Sequence, residues 1–181
     1  MPIRAHPCPP LPPPTPPLQH GGAAFYINLL KEKYWQSFAL NSLAVWLACD
    51  RDYIEPLILE PDSLARLVDF FRTASQQSLR MLHKPFLDMM TKSEVLCRAL
   101  TNSGLYVTAL VKRLSASDAI VLRSLLKMLQ LLHQYHPHPR HFVLDNDLYN
   151  VVRSFAQSEG QVLVHQISNK LLADFQSSTV S

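Results

Sequence analysis

The residues best suited to chemistry in this 181-residue sequence are two pairs of basic side chains with a recurring spacing. Arg80 and Lys84 lie four residues apart, as do Arg123 and Lys127, and 43 residues separate the first pair from the second. Residues four apart share one face of a helix, so each pair would present two cations together. We therefore expect these four residues to bind an acidic segment of a protein partner, with an ordinary solvated helix face as the alternative.

The basic charge of the chain is concentrated around these pairs. Residues 64–144 contain 11 Lys and Arg against 4 Asp and Glu, whereas residues 23–63 contain three against six. A surface that binds nucleic acid would interleave such cations with aromatic side chains on which bases stack. Aromatic residues such as Tyr34, Trp35, Trp46 and Phe70 are instead expected on apolar stripes. Nucleic-acid binding is therefore disfavoured.

No set of residues for catalysis or cofactor binding is found in the sequence. Phosphate-binding loops need several closely spaced glycines, and this chain has only four glycines in total. Asp50-Arg51-Asp52 matches two residues of the HRD triplet of kinases, but no Asn follows at the metal-binding spacing and there is no DFG. We interpret the triplet as a helix cap and turn, and we expect no enzyme activity from this chain.

Four histidines are the nearest approach to a metal site: His133, His136, His138 and His141, with Asp145 close by. Zinc takes three or four ligands, often completed by thiolates, and no cysteine lies near this cluster. Two prolines also interrupt the run. We therefore expect no metal site, and we interpret the segment as a loop between two helical units.

The N-terminal part of the chain is a proline-rich tract, with nine of the 14 prolines between residues 2 and 17. Consecutive prolines favour the extended polyproline II conformation and cannot join a packed core. Arg4, Pro7 and Pro10 fit the Arg-x-x-Pro-x-x-Pro pattern of SH3 ligands, and residues 9–14 fit an SH3, WW or profilin-type binder. A semi-rigid spacer is the alternative role.

The cysteines and the hydropathy pattern indicate an intracellular, cytoplasmic protein. Cys8, Cys49 and Cys97 are odd in number, widely separated and in no CxxC pair, so no disulfide framework or zinc ribbon is expected. The N-terminus lacks the apolar region of a signal peptide. No apolar run reaches the roughly 18 residues that a membrane-spanning helix needs.

Apolar residues recur at three- and four-residue spacings along the rest of the chain, which is the pattern of amphipathic helices. No convincing alternation of a β-strand is visible, so the predicted fold class is all-α. Pro56 and Pro61 are expected to break the Trp-rich first helix, and Pro61-Asp62-Ser63 to begin the next one. Further helices are predicted at 79–90, 94–100, 104–114, 117–135, 148–156 and 161–175.

The helices themselves repeat with a period of about 43 residues. This shift pairs apolar residues such as Leu82 with Leu125, and a one-residue slip then aligns Leu125 with Ile167. Two or three helices in roughly 40 to 47 residues are typical of armadillo and HEAT repeats. We predict a short armadillo/HEAT-like solenoid of about three repeats, beginning near residues 64, 105 and 148, after an N-terminal capping helix. An irregular helical bundle is the alternative.

Domain boundaries follow from these patterns. Residues 1–24 are expected to form a disordered proline-rich tail or linker, and residues 25–175 the helical-repeat domain. Residues 176–181 are small and polar, and they are expected to form a flexible C-terminal tail.

Two stretches of the chain resemble one known family. They are WLACDRDYIEPLILEPDSLARLVDFF, from Trp46 to Phe71, and LRSLLKMLQLLHQYHPHPR, from Leu122 to Arg140. Both resemble the C-terminal armadillo-like region of SepH-type septation-initiation kinases of fungi, which are related to the plant MAP-kinase-kinase-kinase epsilon group. The resemblance covers about residues 33–175.

The resemblance implies a scaffold or regulatory module of a cytokinesis kinase. In that family the kinase domain lies far upstream, and no kinase motif is present in this chain, so the activity is not transferred to these residues. Expected partners are a Ras-like septation GTPase or a spindle-pole-body scaffold, and the expected location is the cytoplasm or the spindle pole body. The alternative is a fragment of a serine/threonine kinase whose catalytic domain lies outside this chain.

Overall fold

The computed structural model describes residues 22–157 and 162–180, and every regular element in these two ranges is an α-helix. The all-α prediction is confirmed. The helices are α1 (Gly22–Leu29), α2 (Gln36–Cys49), α3 (Arg51–Leu59), α4 (Pro61–Thr73), α5 (Gln76–Lys92), α6 (Glu94–Thr101), α7 (Gly104–Leu114), α8 (Ala119–Tyr135), α9 (Pro139–Asp145), α10 (Leu148–Ala156) and α11 (Val162–Val180).

Side chains that cap the backbone fix where the four central helices begin. Ser75, Ser93, Ser103 and Asp118 each precede a helix and accept a hydrogen bond from the backbone N–H three residues later. The first N–H groups of a helix have no partner inside it, so such a cap stabilises the start by about 1 kcal/mol. These caps therefore fix the first residues of α5, α6, α7 and α8.

Nine of the helices form three successive triplets of a short, a medium and a long helix: α3–α5, α6–α8 and α9–α11. The long helices begin at Gln76, Ala119 and Val162, at intervals of 43 residues. Both α3 with α6 and α4 with α7 show the same interval between their first residues. The period predicted from the apolar residues therefore recurs in the positions of the helices.

Equivalent helices pack against one another in series. The long helices form one layer in the order α2, α5, α8, α11, while α1, α4 and α7 form another and α3 contacts α6. The apolar faces of both layers meet in one continuous core, in which Leu82 and Leu125 are 3% and 0% exposed. Both residues are therefore core residues.

The one-residue slip predicted for the last unit is wrong. Because α11 begins 43 residues after α8, Leu125 corresponds to Ser168 and not to Ile167. The burial pattern agrees, since Val164, Ser168, Leu171 and Phe175 are buried in α11 as Val121, Leu125, Met128 and Leu132 are in α8. The apparent slip arose because a serine occupies a core position where the first two units have leucine.

Pro56 does not break the first helix, contrary to the prediction. The break lies at Asp50, and Pro56 sits inside α3 at an exposed position. A proline removes a single intrahelical hydrogen bond, here the one that would reach the carbonyl of Asp52 in the first turn. A break at Pro61 is confirmed, with Pro61 as the first residue of α4. Asp50 occupies the cap position before α3, but its side chain makes no cap hydrogen bond.

In three places the structure has a helix where a tail or a loop was predicted. α1 begins at Gly22, within the range assigned to the tail, and α9 occupies part of the segment interpreted as a loop, with Pro139 in its first turn. The last helix, α11, continues past Phe175 to Val180. Ser178, in that extension, shares a hydrogen bond with Nε2 of His133 at 3.0 Å, so α8 holds the end of α11 in place.

An aromatic triplet joins the first two units. Phe71 of α4, Phe86 of α5 and Tyr106 of α7 have ring centroids 4.7 to 5.7 Å apart, and all three are buried. Arg113 lies over the Phe71 ring at 5.5 Å and donates hydrogen bonds to the carbonyls of Arg72 and Ala74. The guanidinium therefore caps the C-terminal end of α4 while it packs on the aromatic core.

We expect Leu82→Ala and Leu125→Ala each to lower the free energy of unfolding by about 2–5 kcal/mol, because each deletion leaves a cavity in the shared core. Met81→Ala is the matched control, since the Met81 side chain is 62% exposed. Urea denaturation followed by circular dichroism measures the difference. A loss for Leu125→Ala no larger than that for Met81→Ala would contradict the assignment.

Ser168→Ala should stabilise the chain. Within the described residues Ser168 Oγ is the buried side-chain polar atom that has no hydrogen-bond partner. An unsatisfied buried hydroxyl costs free energy, so its removal should raise the free energy of unfolding by about 1 kcal/mol. The same denaturation measurement checks this, and a destabilised Ser168→Ala chain would show that the hydroxyl does have a partner in solution.

The stability of the chain should fall as the pH drops through the histidine range. Burial lowers the pKa of His133 from its ordinary value of 6.5, an effect that Asp174 opposes and His136 reinforces. The unfolded chain therefore binds a proton more readily than the folded one, so this contribution is complete above pH 6.5 and decreases below it. We expect His133→Gln to lose less stability than the wild type between about pH 7.5 and pH 5.5. Equal losses would contradict this.

Candidate functional site

Three of the four predicted cations line one groove on the surface of the long-helix layer. Lys84 comes from α5, and Arg123 and Lys127 come from α8. The groove has a volume of about 560 Å³ and is closed on its far side by the first turn of α11. Its remaining lining residues are His83, Leu87, Asp88, Ala119, Ile120, Ser124, Val162, Leu163 and Val164.

These cations face outward because of how their helices pack. Leu82 with Phe86, and Leu125 with Leu129, are turned into the core. A residue two positions earlier on the same helix lies about 200° away, on the opposite side. Lys84, Arg123 and Lys127 are accordingly exposed, and none of them forms an ion pair within residues 22–157 and 162–180. Asp88 is the acidic residue that lines the same groove.

Arg80 is placed differently from the other three. Its Nε donates to Oδ2 of Asp118 at 2.7 Å, in an ion pair that joins the start of α5 to the start of α8. Both side chains line a separate and much smaller depression. The predicted line of four cations is therefore a group of three around one groove, with the fourth paired within the chain.

Asp118 has two roles at this junction. Its Oδ1 accepts the Val121 backbone N–H at 3.1 Å and so caps α8, while its Oδ2 accepts from Arg80. The Val121 hydrogen bond, followed by Arg80, lowers the pKa of the Asp118 carboxyl. The helix start that carries Arg123 is thereby tied to α5.

A hydrogen bond also joins the two helices inside the groove. Nδ1 of His83 on α5 and Oγ of Ser124 on α8 lie 2.8 Å apart. Burial lowers the pKa of His83, which Asp118 opposes and Lys84 reinforces. In its neutral form, His83 links α5 to α8 without adding a further charge to the groove.

The apolar side chains of the groove were missed at the sequence level. Ile120, Val162 and Leu163 are 73%, 69% and 53% exposed, respectively, and they lie among the three cations. The available signal was that Ile120 is out of phase with the buried stripe of α8. The 43-residue repeat also places Val162 at the position equivalent to Ala119. A surface that combines exposed apolar side chains with peripheral cations suits an amphipathic, acidic ligand.

The other candidate sites show no arrangement for chemistry. Among the described residues no three His, Cys, Asp or Glu side chains are grouped so as to hold a metal ion. In the histidine cluster, His136 stacks on Phe142 and His138 lies 6.0 Å from His141 between ring centroids. Cys97 is buried, which raises the pKa of its thiol to about 12 and keeps it protonated.

Two further predictions concern the chain outside the groove. The proposed SH3-ligand residues Arg4, Pro7 and Pro10 lie outside the described residues. In the described part of the chain, no helix combines the length and apolar character that crossing a bilayer requires.

The chain is similar in sequence to plant MAP3K epsilon protein kinases and to fungal cytokinesis proteins. It is 36% identical over 170 residues to MAP3K epsilon protein kinase 1 of Arabidopsis thaliana, and 35% identical over 170 residues to the protein of the same name from Brassica napus. These matches cover 89% of this chain. It is also 23% identical over 156 residues, 83% of the chain, to cytokinesis protein sepH of Emericella nidulans. No family model and no solved structure matches the chain.

The matched segment is a small part of each relative. The alignments span 12% of the Arabidopsis protein, 13% of the Brassica protein and 11% of the Emericella protein. This small chain, whose regular elements within the described residues are all helices, is therefore not a full kinase. Over 83–89% of its length, the chain is homologous to one segment of the MAP3K epsilon protein kinases and, more distantly, of the sepH cytokinesis proteins.

Proposed function

We propose that this chain is a non-catalytic interaction module that binds an acidic segment of a protein partner. The observation that carries the proposal is the groove in which Lys84, Arg123 and Lys127 surround exposed apolar side chains and form no ion pair with the described residues. Free cations at the edge of an apolar surface steer and orient a ligand of opposite charge. The apolar floor then supplies affinity by burial.

The ligand that fits this groove best is an acidic amphipathic helix. Its apolar face would cover Ile120, Val162 and Leu163, and its carboxylates would reach the three cations at the rim. Recognition of an amphipathic helix in an apolar groove is a recurring mode of peptide binding. Asp88 would disfavour ligands with carboxylates on its side of the groove, which gives the ligand a preferred direction.

The repeat supports an armadillo-like solenoid as the scaffold of this module. Three triplets of helices, whose long helices begin 43 residues apart, have the size and helix number of armadillo units. In this arrangement α3–α5, α6–α8 and α9–α11 are the units, and α1 with α2 forms the N-terminal cap. A solenoid of this kind presents its long helices side by side, which is how α5, α8 and α11 share the groove.

The relatives suggest the cellular setting. They are named as kinases and as a cytokinesis protein, and this chain corresponds to a segment that is not a full kinase. We therefore assign the chain to the regulatory C-terminal part of a septation or cytokinesis signalling kinase. Its acidic partner would be a GTPase or a spindle-pole-body scaffold, met in the cytoplasm or at the pole body.

The alternative is a fragment of a serine/threonine kinase whose catalytic domain is missing from this chain. The 12% coverage of the plant kinases favours this reading. The two readings agree on what the groove does, and they differ on what it regulates. Kinase-coding exons in the genomic DNA upstream of the Met1 codon would support the fragment.

Reversing two groove cations should abolish partner binding and leave the fold intact. For Arg123→Glu/Lys127→Glu we expect at least about a tenfold weaker affinity, or 1.4 kcal/mol, for a fluorescent acidic amphipathic peptide. The melting temperature should stay unchanged, because both side chains are exposed. Anisotropy titrations at low and moderate salt measure the affinity, and the wild type should weaken with salt more than the variant does.

The matched control reverses two cations outside the groove. Arg140→Glu/Arg153→Glu makes the same change in net charge at exposed positions on α9 and α10. If both double variants lose affinity equally, the effect is one of net charge and the groove is not the site. Pull-down of the septation GTPase with the same proteins then tests the specific partner.

A further inference from the structure

An aromatic patch covers the end of the molecule formed by α1 and α2. We define this patch by five side chains, Phe25, Tyr26, Trp35, Phe38 and Trp46. Phe25, Trp35 and Phe38 are each more than half exposed, while Tyr26 and Trp46 are partly buried against the core. Removing large aromatic side chains from water lowers the free energy. A contiguous exposed group of them therefore marks an interaction surface.

The five rings form one connected surface. Tyr26 lies at its centre, with centroids 5.6 Å from Phe25, 5.8 Å from Phe38 and 5.3 Å from Trp46. Trp35 extends the surface through an edge contact with Phe38 at 6.1 Å. Most of these contacts are edge-on, which leaves ring faces available for a ligand.

The chain enters the structure at the edge of this patch. Gly22, the first described residue, is buried so closely against Trp46 that a Cβ there would lie 2.6 Å from the indole ring. Phe25 and Tyr26 follow one helical turn later in α1. The N-terminal end of the described chain therefore lies beside the aromatic patch.

The preceding segment has the composition that aromatic surfaces recognise. Pro9, Pro10, Pro12, Pro13 and Pro14 lie within six consecutive residues, and Pro17 is five residues before Gly22. Prolines in the polyproline II conformation lose little conformational entropy on binding and pack their rings against aromatic side chains. Pro14 is eight residues before Gly22, a length that spans at most about 29 Å, so the tract stays within reach of the patch.

We propose that the proline-rich segment of residues 9–14 docks on the aromatic patch of its own chain. Attachment through a short linker gives the segment a high effective concentration at the patch, so weak proline–aromatic contacts suffice. Docking covers the exposed faces of Trp35 and Phe38. An SH3, WW or profilin-type protein would then compete with the patch for the same prolines. This inference is independent of the cationic groove.

A paramagnetic label at Cys8 tests the docking in the full chain. Cys8 immediately precedes the segment, Cys97 is buried with a protonated thiol, and Cys49→Ala removes the remaining cysteine. With a nitroxide on Cys8, we expect the Trp35 indole N–H signal to lose most of its intensity in ¹⁵N correlation spectra. The amide signal of Gly104, on α7 and outside the patch, serves as the internal reference.

Two variants separate docking from mere proximity. Pro12→Ser/Pro13→Ser/Pro14→Ser keeps the length of the tail, and in this chain we expect the Trp35 signal to keep most of its intensity. Phe25→Ser/Phe38→Ser changes the patch instead of the segment, and it should also restore most of the Trp35 signal. Leu144→Ser is the matched control, because Leu144 is 60% exposed and lies outside the patch. It should leave the signal loss unchanged.

Equal loss of the Trp35 signal with prolines or with serines would overturn the proposal, because chain connectivity alone would then explain it. Signal loss in a mixture of ¹⁵N-labelled, spin-free chains with unlabelled chains that carry the nitroxide would also overturn it, since the tail of a second copy would be the ligand. If Phe25→Ser/Phe38→Ser lowers the melting temperature, the triple serine chain still decides the outcome, because its substitutions leave the residues of the aromatic patch and of α1 to α11 unchanged.

Discussion

The structure depends on the requirement that a long helix in the middle of the stack must be apolar on two sides. α5 packs between α2 and α8, and α8 packs between α5 and α11. Only one narrow strip of each helix is left for solvent, and it is the strip opposite the core leucines. Charged residues of the long helices are therefore confined to these strips. The exposed strips of neighbouring helices lie side by side. The cations of α5 and α8 share a groove as a direct result of this geometry.

Within that strip, one carboxylate determines which cations are available. Asp118 is needed as the cap of α8, and it lies where Arg80 of the preceding long helix can reach it. An exposed ion pair contributes little to stability, so its main effect here is to occupy Arg80. Lys84 is one helical turn further along α5, where it lines the groove with Arg123 and Ser124 of α8 and forms no ion pair with the described residues. The difference between a structural and an available cation thus depends on a single turn of helix.

The sequence predicts the helices well because their apolar periodicity is local, and α7 and α10 have the predicted boundaries. It fails where tertiary context overrides a local rule. Pro56 is tolerated because it lies near the start of a short helix at an exposed position. The alignment of α11 with α8 was shifted by one residue because Ser168, a polar residue, occupies a core position. The Arg80–Asp118 pair joins residues 38 apart and cannot be inferred from the spacing of basic residues alone. The apolar floor of the groove was also missed, because it forms only when the start of α11 approaches α8.

The serial packing of the long helices has a consequence for the motions of the molecule. Among the described helices, α8 has a long neighbour on each side, whereas α11 contacts one, α8. In a stack whose cohesion comes from adjacent elements, the outermost element opens at the lowest free-energy cost. Amide protons of α11 should therefore exchange with solvent sooner than those of α8. The groove is lined by both helices, so an occupant that contacts both would link α11 to α8 and slow the exchange of the α11 amide protons.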